Sequence, residues 1–280
     1  MKTKIALIGA GGKMGCRIAD NLMKSEDYEV DYVEVSSPGV ANLASRGLQP
    51  TAMDEALARA AAVILAIPDK LIKKITDEIV PKMKPGTLVI GLDPAAAYAG
   101  VMPVRDDLAY FVAHPCHPPL FNDEVTAEAR ADWFGGVHAK HHIVCALYAG
   151  PEESYALGER IACAMYAPVM KSFRVTVEQM AILEPALSET LCGALIAVLK
   201  EGYDEAVKMG VPAEAAWEFL SGHIRIEVGI IFGFSGFPMS EGAKLAIANA
   251  KEKLFKPDWK EQIMNLEALK RSVREITEQT

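Results

Sequence analysis

Ile5-Ala6-Leu7-Ile8-Gly9-Ala10-Gly11-Gly12-Lys13-Met14-Gly15, running on into Cys16-Arg17-Ile18-Ala19-Asp20-Asn21-Leu22-Met23, is the stretch from which the fold can be read. Four apolar residues without a polar interruption predict a strand buried on both faces. The glycines break it before Met14, Ile18, Leu22 and Met23 resume at helical spacing. The outcome is strand, tight turn, helix. Gly9 permits the turn, Gly11 and Gly12 let a ligand approach the backbone, and Gly15 lets the helix lie close to the sheet. The helix start, with Lys13 and Met14 in its first turn, presents N–H groups that favour a diphosphate, so a dinucleotide is the expected ligand.

The spacing is G-x-G-G-x-x-G, with Gly9, Gly12 and Gly15 at every third position. Context strengthens it, because Tyr28-Glu29-Val30-Asp31-Tyr32-Val33-Glu34-Val35-Ser36 reads as a second strand bearing an acid about 20 residues downstream. An acid there accepts from the ribose hydroxyls of the adenosine and repels a 2′-phosphate, which makes Glu34 the candidate and NAD the expected cofactor. The alternative is a surface glutamate on an edge strand, with Ser36 or no side chain at the ribose.

Outward from this turn, apolar runs alternate with helical patterns: Ala61–Ile67, Leu71 to Val80, Thr87–Ile90, Ala109–Ala113 and His142–Tyr148. Alternation of this kind means a doubly wound parallel sheet, an α/β Rossmann arrangement, whose ligands sit outside the carboxyl ends of the strands. Gly9, Asp69, Leu92-Asp93 and His114 then face one crevice, and Asp69 joins the cofactor-binding candidates. Ser36-Ser37-Pro38-Gly39 reads as a turn. From residue 174 the pattern becomes wholly helical. Thr176-x-x-Gln179 is a capping box opening one very long helix to about Gly210, and Ala213–Phe232, Ser240–Leu254 and Asp258 to about Thr277 read as three more. The expected division is a nucleotide-binding domain over 1–174 and an all-α domain over 175–280 for substrate binding and dimerisation. Apolar residues on several faces of the second domain, among them Ile224, Val228, Ile231 and Phe234, predict burial in a homodimer, with packing on the first domain as the alternative.

The chain has 280 residues, 51% of them hydrophobic, enough for two cores, and carries a net charge of −8. No run of Lys and Arg suggests nucleic acid, and five scattered cysteines without C-x-x-C spacing suit reduced thiols in a cytoplasm. The first apolar run ends in glycines and reads as a strand, not a leader. The longest apolar stretches, such as Leu191–Leu199, are shorter than a membrane span.

Reactive side chains are densest in His114-Pro115-Cys116-His117-Pro118-Pro119, where a strand end and three prolines hold two imidazoles near the crevice. An imidazole there takes the hydroxyl proton as hydride leaves the same carbon, or binds a divalent metal. The alternative is that one of the pair merely caps a strand end. A second candidate is Glu184, beside Pro185 in the interior of the long helix, where a kink or break is expected. His114 and Glu184 would supply half of a metal shell, substrate oxygens and water the rest, and the alternative for Glu184 is a solvated residue at a packing kink. His138, His141 and His142 read as a partly exposed turn before a strand, with one satisfied histidine, rather than a metal tract.

Taken in order, Gly-Ala-Gly-Gly-Lys-Met-Gly from Gly9, Val-Glu-Val-Ser from Val33, Ala-Ile-Pro-Asp from Ala66, Ala-His-Pro-Cys-His-Pro-Pro-Leu-Phe-Asn-Asp-Glu from Ala113 and Val-Glu-Gln-Met-Ala-Ile-Leu-Glu-Pro from Val177 resemble the D-apionate oxidoisomerase family. That family lies within the 6-phosphogluconate dehydrogenase-like and ketol-acid reductoisomerase-like superfamily. The lysine of the ordinary β-hydroxyacid dehydrogenases, in a G-x-x-x-N-x-x-K pattern, is only partly matched, since Gly193 and Lys200 flank Ala197. The resemblance implies that NAD takes hydride from the carbinol beside the carboxylate of a branched sugar acid. A hydroxymethyl group then migrates to give 3-oxo-isoapionate, with His114, His117 and Glu184 as the catalytic candidates. A hydroxy-acid dehydrogenase without rearrangement and an NAD-binding redox sensor without turnover are the competing readings.

Overall fold

A computed structural model describes residues 2–278. The first part of the chain runs β1 (Thr3–Ile8), α1 (Lys13–Leu22), β2 (Tyr28–Val33), α2 (Ser37–Ala44), α3 (Met53–Arg59), β3 (Ala62–Leu65) and α4 (Asp69–Ile79). It continues through β4 (Leu88–Gly91), α5 (Ala95–Tyr98), β5 (Ala109–Pro115), α6 (Ala127–Ala131), β6 (His141–Ala149), α7 (Ser154–Met165) and β7 (Val169–Arg174). The helical remainder is α8 (Val177–Ala181), a π-helical segment (Ile182–Cys192), α9 (Gly193–Lys208), α10 (Ala213–Ile231), α11 (Glu241–Leu254), α12 (Trp259–Ile263) and α13 (Leu266–Glu278).

The seven strands form one sheet in the order β2-β1-β3-β4-β5-β6-β7. Strand order reverses at β1, so the crevice for a ligand opens at the carboxyl ends of β1 and β3. β1 through β5 pair in parallel, and β7 pairs in parallel with β6. β6, however, runs antiparallel to β5, from Tyr110↔Ala149 to Pro115↔Ile143. An all-parallel sheet is therefore corrected to a mixed one. The segment between β5 and β6 carries only the five-residue α6 and makes no crossover, so the chain returns alongside β5. Helices cover both faces. Ile18, Leu22, Phe111 and Met165 pack on one side, and Leu57, Ile72, Val112 and Met180 on the other.

Ser36-Ser37-Pro38-Gly39 is not a turn but the start of α2. The Gly39 N–H donates to Ser36 Oγ at 3.1 Å, and Pro38 sits in the first turn, where its missing N–H costs nothing. Farther along, the Thr176/Gln179 capping box is formed. Asp258 and Glu261 have the spacing of a second capping box, but Asp258 caps no backbone N–H; its Oδ2 accepts from the Gln262 side chain at 2.6 Å, and the helix is interrupted between α12 and α13.

Two compact units result, one ending at Leu183 and regaining the chain from Lys270 onward, the other Glu184–Leu269. The division falls beyond residue 174 because α8 packs on α5 and β6 of the first unit. Pro185 does not break the helix. The hydrogen-bonding pattern widens to π-helical from Ile182 to Cys192, and Thr190 Oγ1 donates to the Pro185 carbonyl at 2.7 Å. Helix is thus continuous over Val177–Lys208, 32 residues, long and apolar enough by length and composition to cross a membrane and much longer than the Leu191–Leu199 run suggests. In the second unit none of α9 or α11 is buried and α10 buries only Gly229.

Candidate active site

The glycine turn is built by close approach. Gly9 has φ +77°, and a Cβ there would lie 2.4 Å from the Ala66 carbonyl oxygen, so β3 leaves no room for a side chain. A Cβ on Gly15 would lie 2.1 Å from the Gly9 carbonyl oxygen, which holds α1 against the turn. Gly11 is needed for a different reason from ligand approach. A Cβ there would meet Gly39 O at 2.2 Å, so the space over it is filled by the start of α2. Gly12 is exposed and caps α1 without a side chain, leaving the first-turn N–H groups, which include those of Lys13 and Met14, to an anion. This cradle fits the diphosphate of a dinucleotide.

Glu34 closes the cradle at the end of β2. Its carboxylate accepts from the backbone N–H groups of Gly11 at 3.0 Å, Val35 at 2.9 Å and Ser36 at 2.8 Å. Burial alone would raise its pKa, but these bonds outweigh burial and hold the carboxyl below its ordinary value. An ionised acid is therefore fixed at the end of β2, beside the glycine turn. Asp69 opens α4 at the end of the neighbouring β3.

His114 and His117 are brought together, with ring centroids 6.5 Å apart and edge to face. Each is tied from behind by a backbone carbonyl: His114 Nδ1 lies 2.8 Å from Leu92 O, and His117 Nδ1 3.0 Å from Phe134 O. A carbonyl only accepts, so each Nδ1 carries the proton and each neutral ring keeps its lone pair on Nε2. The Asp93 carboxylate lies 4.0 Å from His114 Nδ1. His117 holds φ +59°, a left-handed conformation that a non-glycine residue adopts only where its surroundings fix it.

What fixes it is a set of residues that the sequence patterns do not single out. Phe134 carries the Lys13 ammonium 3.9 Å above its ring and His117 against its edge. Arg17 donates to Gly135 O and Asp132, while Asn21 donates to the carbonyls of Gly136, Met165 and Ala167. Asp132 in turn accepts from the N–H groups of Val137, His138 and Ala139. The 116–140 strap is thereby clamped to α1. Arg17 and Asn21 stand four apart on one helix face, which is the only sequence signal of this role.

His138 is exposed, whereas His141 opens β6, is buried and donates from Nε2 to Tyr166 O at 2.6 Å, the satisfied histidine of this tract. Burial pushes the Cys16, Cys116, Cys145 and Cys163 thiols up, Cys145 to about 12, which suits inert thiols. Glu184 is the third residue of the π-helical segment and the first of the second unit, and is half-buried. Lys200 donates to Asp204 at 2.6 Å on the exposed face of α9. Among the described residues no three His, Cys, Asp or Glu side chains gather as a metal cluster.

Two family models match in chain order. That of the NAD binding domain of 6-phosphogluconate dehydrogenase covers residues 4–96, and that of the C-terminal part of decarboxylating phosphogluconate dehydrogenase covers residues 122–277. A D-apionate oxidoisomerase from Cupriavidus necator is 50% identical over 278 residues, 99% of this chain and 100% of the relative. The chain belongs to the D-apionate oxidoisomerase family. A second member, from Rhizobium rhizogenes, is also 50% identical, over 98% of this chain and 100% of the relative. A crystal structure of a semialdehyde dehydrogenase NAD-binding protein from Cupriavidus necator in complex with calcium and NAD superposes with TM-score 0.96 at 50% identity, covering 99% of this chain and 100% of that one. An NADH-preferring ketol-acid reductoisomerase from an uncultured archaeon, 20% identical with TM-score 0.68 over 98% of this chain and 82% of its own, shares the fold. Membership of the D-apionate oxidoisomerase family, with an NAD-binding domain at its amino end, makes the chain an NAD-dependent oxidoreductase.

Proposed function

We propose that the chain oxidises D-apionate with NAD and moves a hydroxymethyl group between neighbouring carbons, giving 3-oxo-isoapionate and NADH. Full-length identity of 50% to proteins named D-apionate oxidoisomerase carries the reading. The imidazole arrangement supports it chemically. Hydride loss from the carbinol carbon beside the carboxylate requires an acceptor for the hydroxyl proton, and His114 Nε2, the lone-pair nitrogen, takes that role. The product of this step is a 2-oxo acid next to a tertiary alcohol. When that alcohol gives up its proton, its oxygen becomes the new carbonyl. The hydroxymethyl group crosses with its bonding pair, and the former carbonyl oxygen is protonated, so no second oxidant is needed. His117, in the same tautomer, serves these proton movements.

NAD supplies the hydride acceptor, held by Gly9, Gly11, Gly12, Lys13, Met14, Gly15, Glu34 and Asp69. The calcium reported together with NAD in the Cupriavidus necator crystal structure motivates a divalent ion here, which would polarise the two neighbouring oxygens. A ring whose Nδ1–H is tied to a backbone carbonyl, as in His114, offers one Nε2 lone pair, which binds an ion or takes the hydroxyl proton but not both at once; with an ion on His114, His117 Nε2 takes the proton. His114 and Glu184 are proposed as its protein donors. Carbon-13 NMR of the product tests the reaction. A moved hydroxymethyl carbon is the expected result; an unrearranged 2-oxo acid would favour the plain dehydrogenase, and NAD binding without turnover the sensor.

A homodimer in the cytoplasm completes the reading. The exposed apolar side chains of α9 and α10 include Val198, Leu199 and Phe219, which border a groove of about 620 Å³ that a second copy would cover.

A further inference from the structure

Lys13 opens α1, and no acidic side chain stands in that first turn. A cation at a helix N-terminus is set against the helix dipole, and Arg17 one turn later adds a like charge on the same face. Among the described residues no carboxylate pairs with Lys13. Its ammonium instead lies 3.9 Å from the centroid of the Phe134 ring, on the ring face. The Arg17 guanidinium carbon lies 5.6 Å from the same centroid. Phe134 comes from the strap between β5 and β6, and its backbone is anchored on both sides of the ring. Phe134 O accepts from His117 Nδ1 at 3.0 Å, and the next carbonyl, Gly135 O, accepts from Arg17.

We propose that Phe134 is a positioning residue of the cofactor site, its ring holding the Lys13 ammonium at the start of α1, where the diphosphate of the dinucleotide binds. This deepens the proposed function and rests on Lys13 belonging to the diphosphate cradle there. The attraction between a ring face and an ammonium selects one arrangement of a flexible four-carbon stem, so less freedom is lost when a phosphate arrives. The ring takes one side of the ammonium. An ammonium has three N–H groups, and those turned away from the ring are left to an anion.

The ring face and the backbone carbonyl are separable. Leucine at position 134 keeps apolar bulk and the carbonyl that His117 uses but has no π face, whereas tyrosine keeps the face. F134L is expected to raise the Kd for NAD and for ADP-ribose ~3–10-fold alike, with the inhibition constant of adenosine, which has no phosphate, unchanged and F134Y binding NAD like the wild type. K13M should weaken NAD binding too, and adding F134L to K13M should bring no further loss, because the ring then has no ammonium to hold. Proton NMR reads the contact without ligand: the Lys13 ε-methylene protons should be shifted upfield by the ring in the wild type and not in F134L. F134L binding NAD like the wild type, or weakening it as much in the K13M background as alone, would overturn the proposal while leaving Lys13 in the cradle. K13M binding NAD normally, with the upfield shift present in the wild type, would remove Lys13 from the cradle itself, and the proposal with it.

Discussion

The Glu34 carboxylate accepts a 3.0 Å hydrogen bond from the Gly11 N–H, joining the acid at the end of β2 to the middle of the glycine turn. The same carboxylate takes the Val35 and Ser36 N–H groups, which are the donors a 2′-phosphate would need. Replacing it by serine opens those donors and removes the repulsion. E34S is expected to lower the NAD over NADP preference in kcat/KM by at least ~10-fold, since like-charge contact costs several kcal/mol. Steady-state kinetics with both cofactors check this.

Gly15 has no room for a methyl group, with the Gly9 carbonyl oxygen 2.1 Å from where it would stand. G15A should therefore lose ~1–3 kcal/mol of stability and weaken NAD binding, because α1 must shift away from the turn. Denaturant titration and quenching of protein fluorescence by NAD read the two effects separately.

Asp132 links three strap N–H groups to Arg17. Burial works to raise its pKa, but the N–H donors of His138, Ala139 and Val137 and the Arg17 side chain prevail and lower it. A folded-state pKa below the unfolded one contributes stability that is present above the unfolded value and is lost as pH falls through the folded value. D132N should accordingly cost ~1–3 kcal/mol near neutrality, and the gap to wild type should close on acidification below the ordinary aspartate range. Melts over a pH series measure it.

His114 is the proposed proton acceptor, so H114A should lose at least ~100-fold in kcat with D-apionate, and E184Q a comparable amount if both donate to a metal. Chelation followed by addition of calcium or manganese should abolish and restore NADH formation. Full activity after exhaustive chelation would remove the metal from the reaction.

The apolar faces of α9 and α10 predict a dimer in sedimentation equilibrium. F219E, which puts a charge on a 69% exposed ring at the groove, should yield monomer without unfolding the first unit. A wild-type monomer would contradict the expectation.

The nucleotide-binding half was legible because uninterrupted apolar strands and a glycine turn leave few other arrangements, and the place of His114 near the end of β5 because the apolar run Ala109–Ala113 stops there. The direction of β6 was not, since an apolar run such as Ile143–Leu147 looks the same whichever way it lies. Ser36-Ser37-Pro38-Gly39 misleads because Ser and Pro begin turns and helices with the same local chemistry. The strap was hidden for another reason. Phe134, Arg17 and Asp132 meet across more than a hundred residues, and no local spacing encodes that. Pro185 marks an irregularity correctly, but a missing N–H predicts only that the α pattern fails, not that a wider helix replaces it.

That wider helix alters the angular phase of everything after it. An α-helix advances by about 3.6 residues per turn, so side chains four apart nearly align. Through Ile182–Cys192 each turn takes up more chain, and the azimuth of α9 is offset from the one that α-helical winding onward from Glu184 would set. Removing a single residue from this stretch would rotate Leu195, Leu199 and their neighbours around the axis relative to Glu184 with no change in α9 itself, so the angle between that carboxylate and the apolar side chains of α9 is set by the count of residues between Glu184 and Gly193.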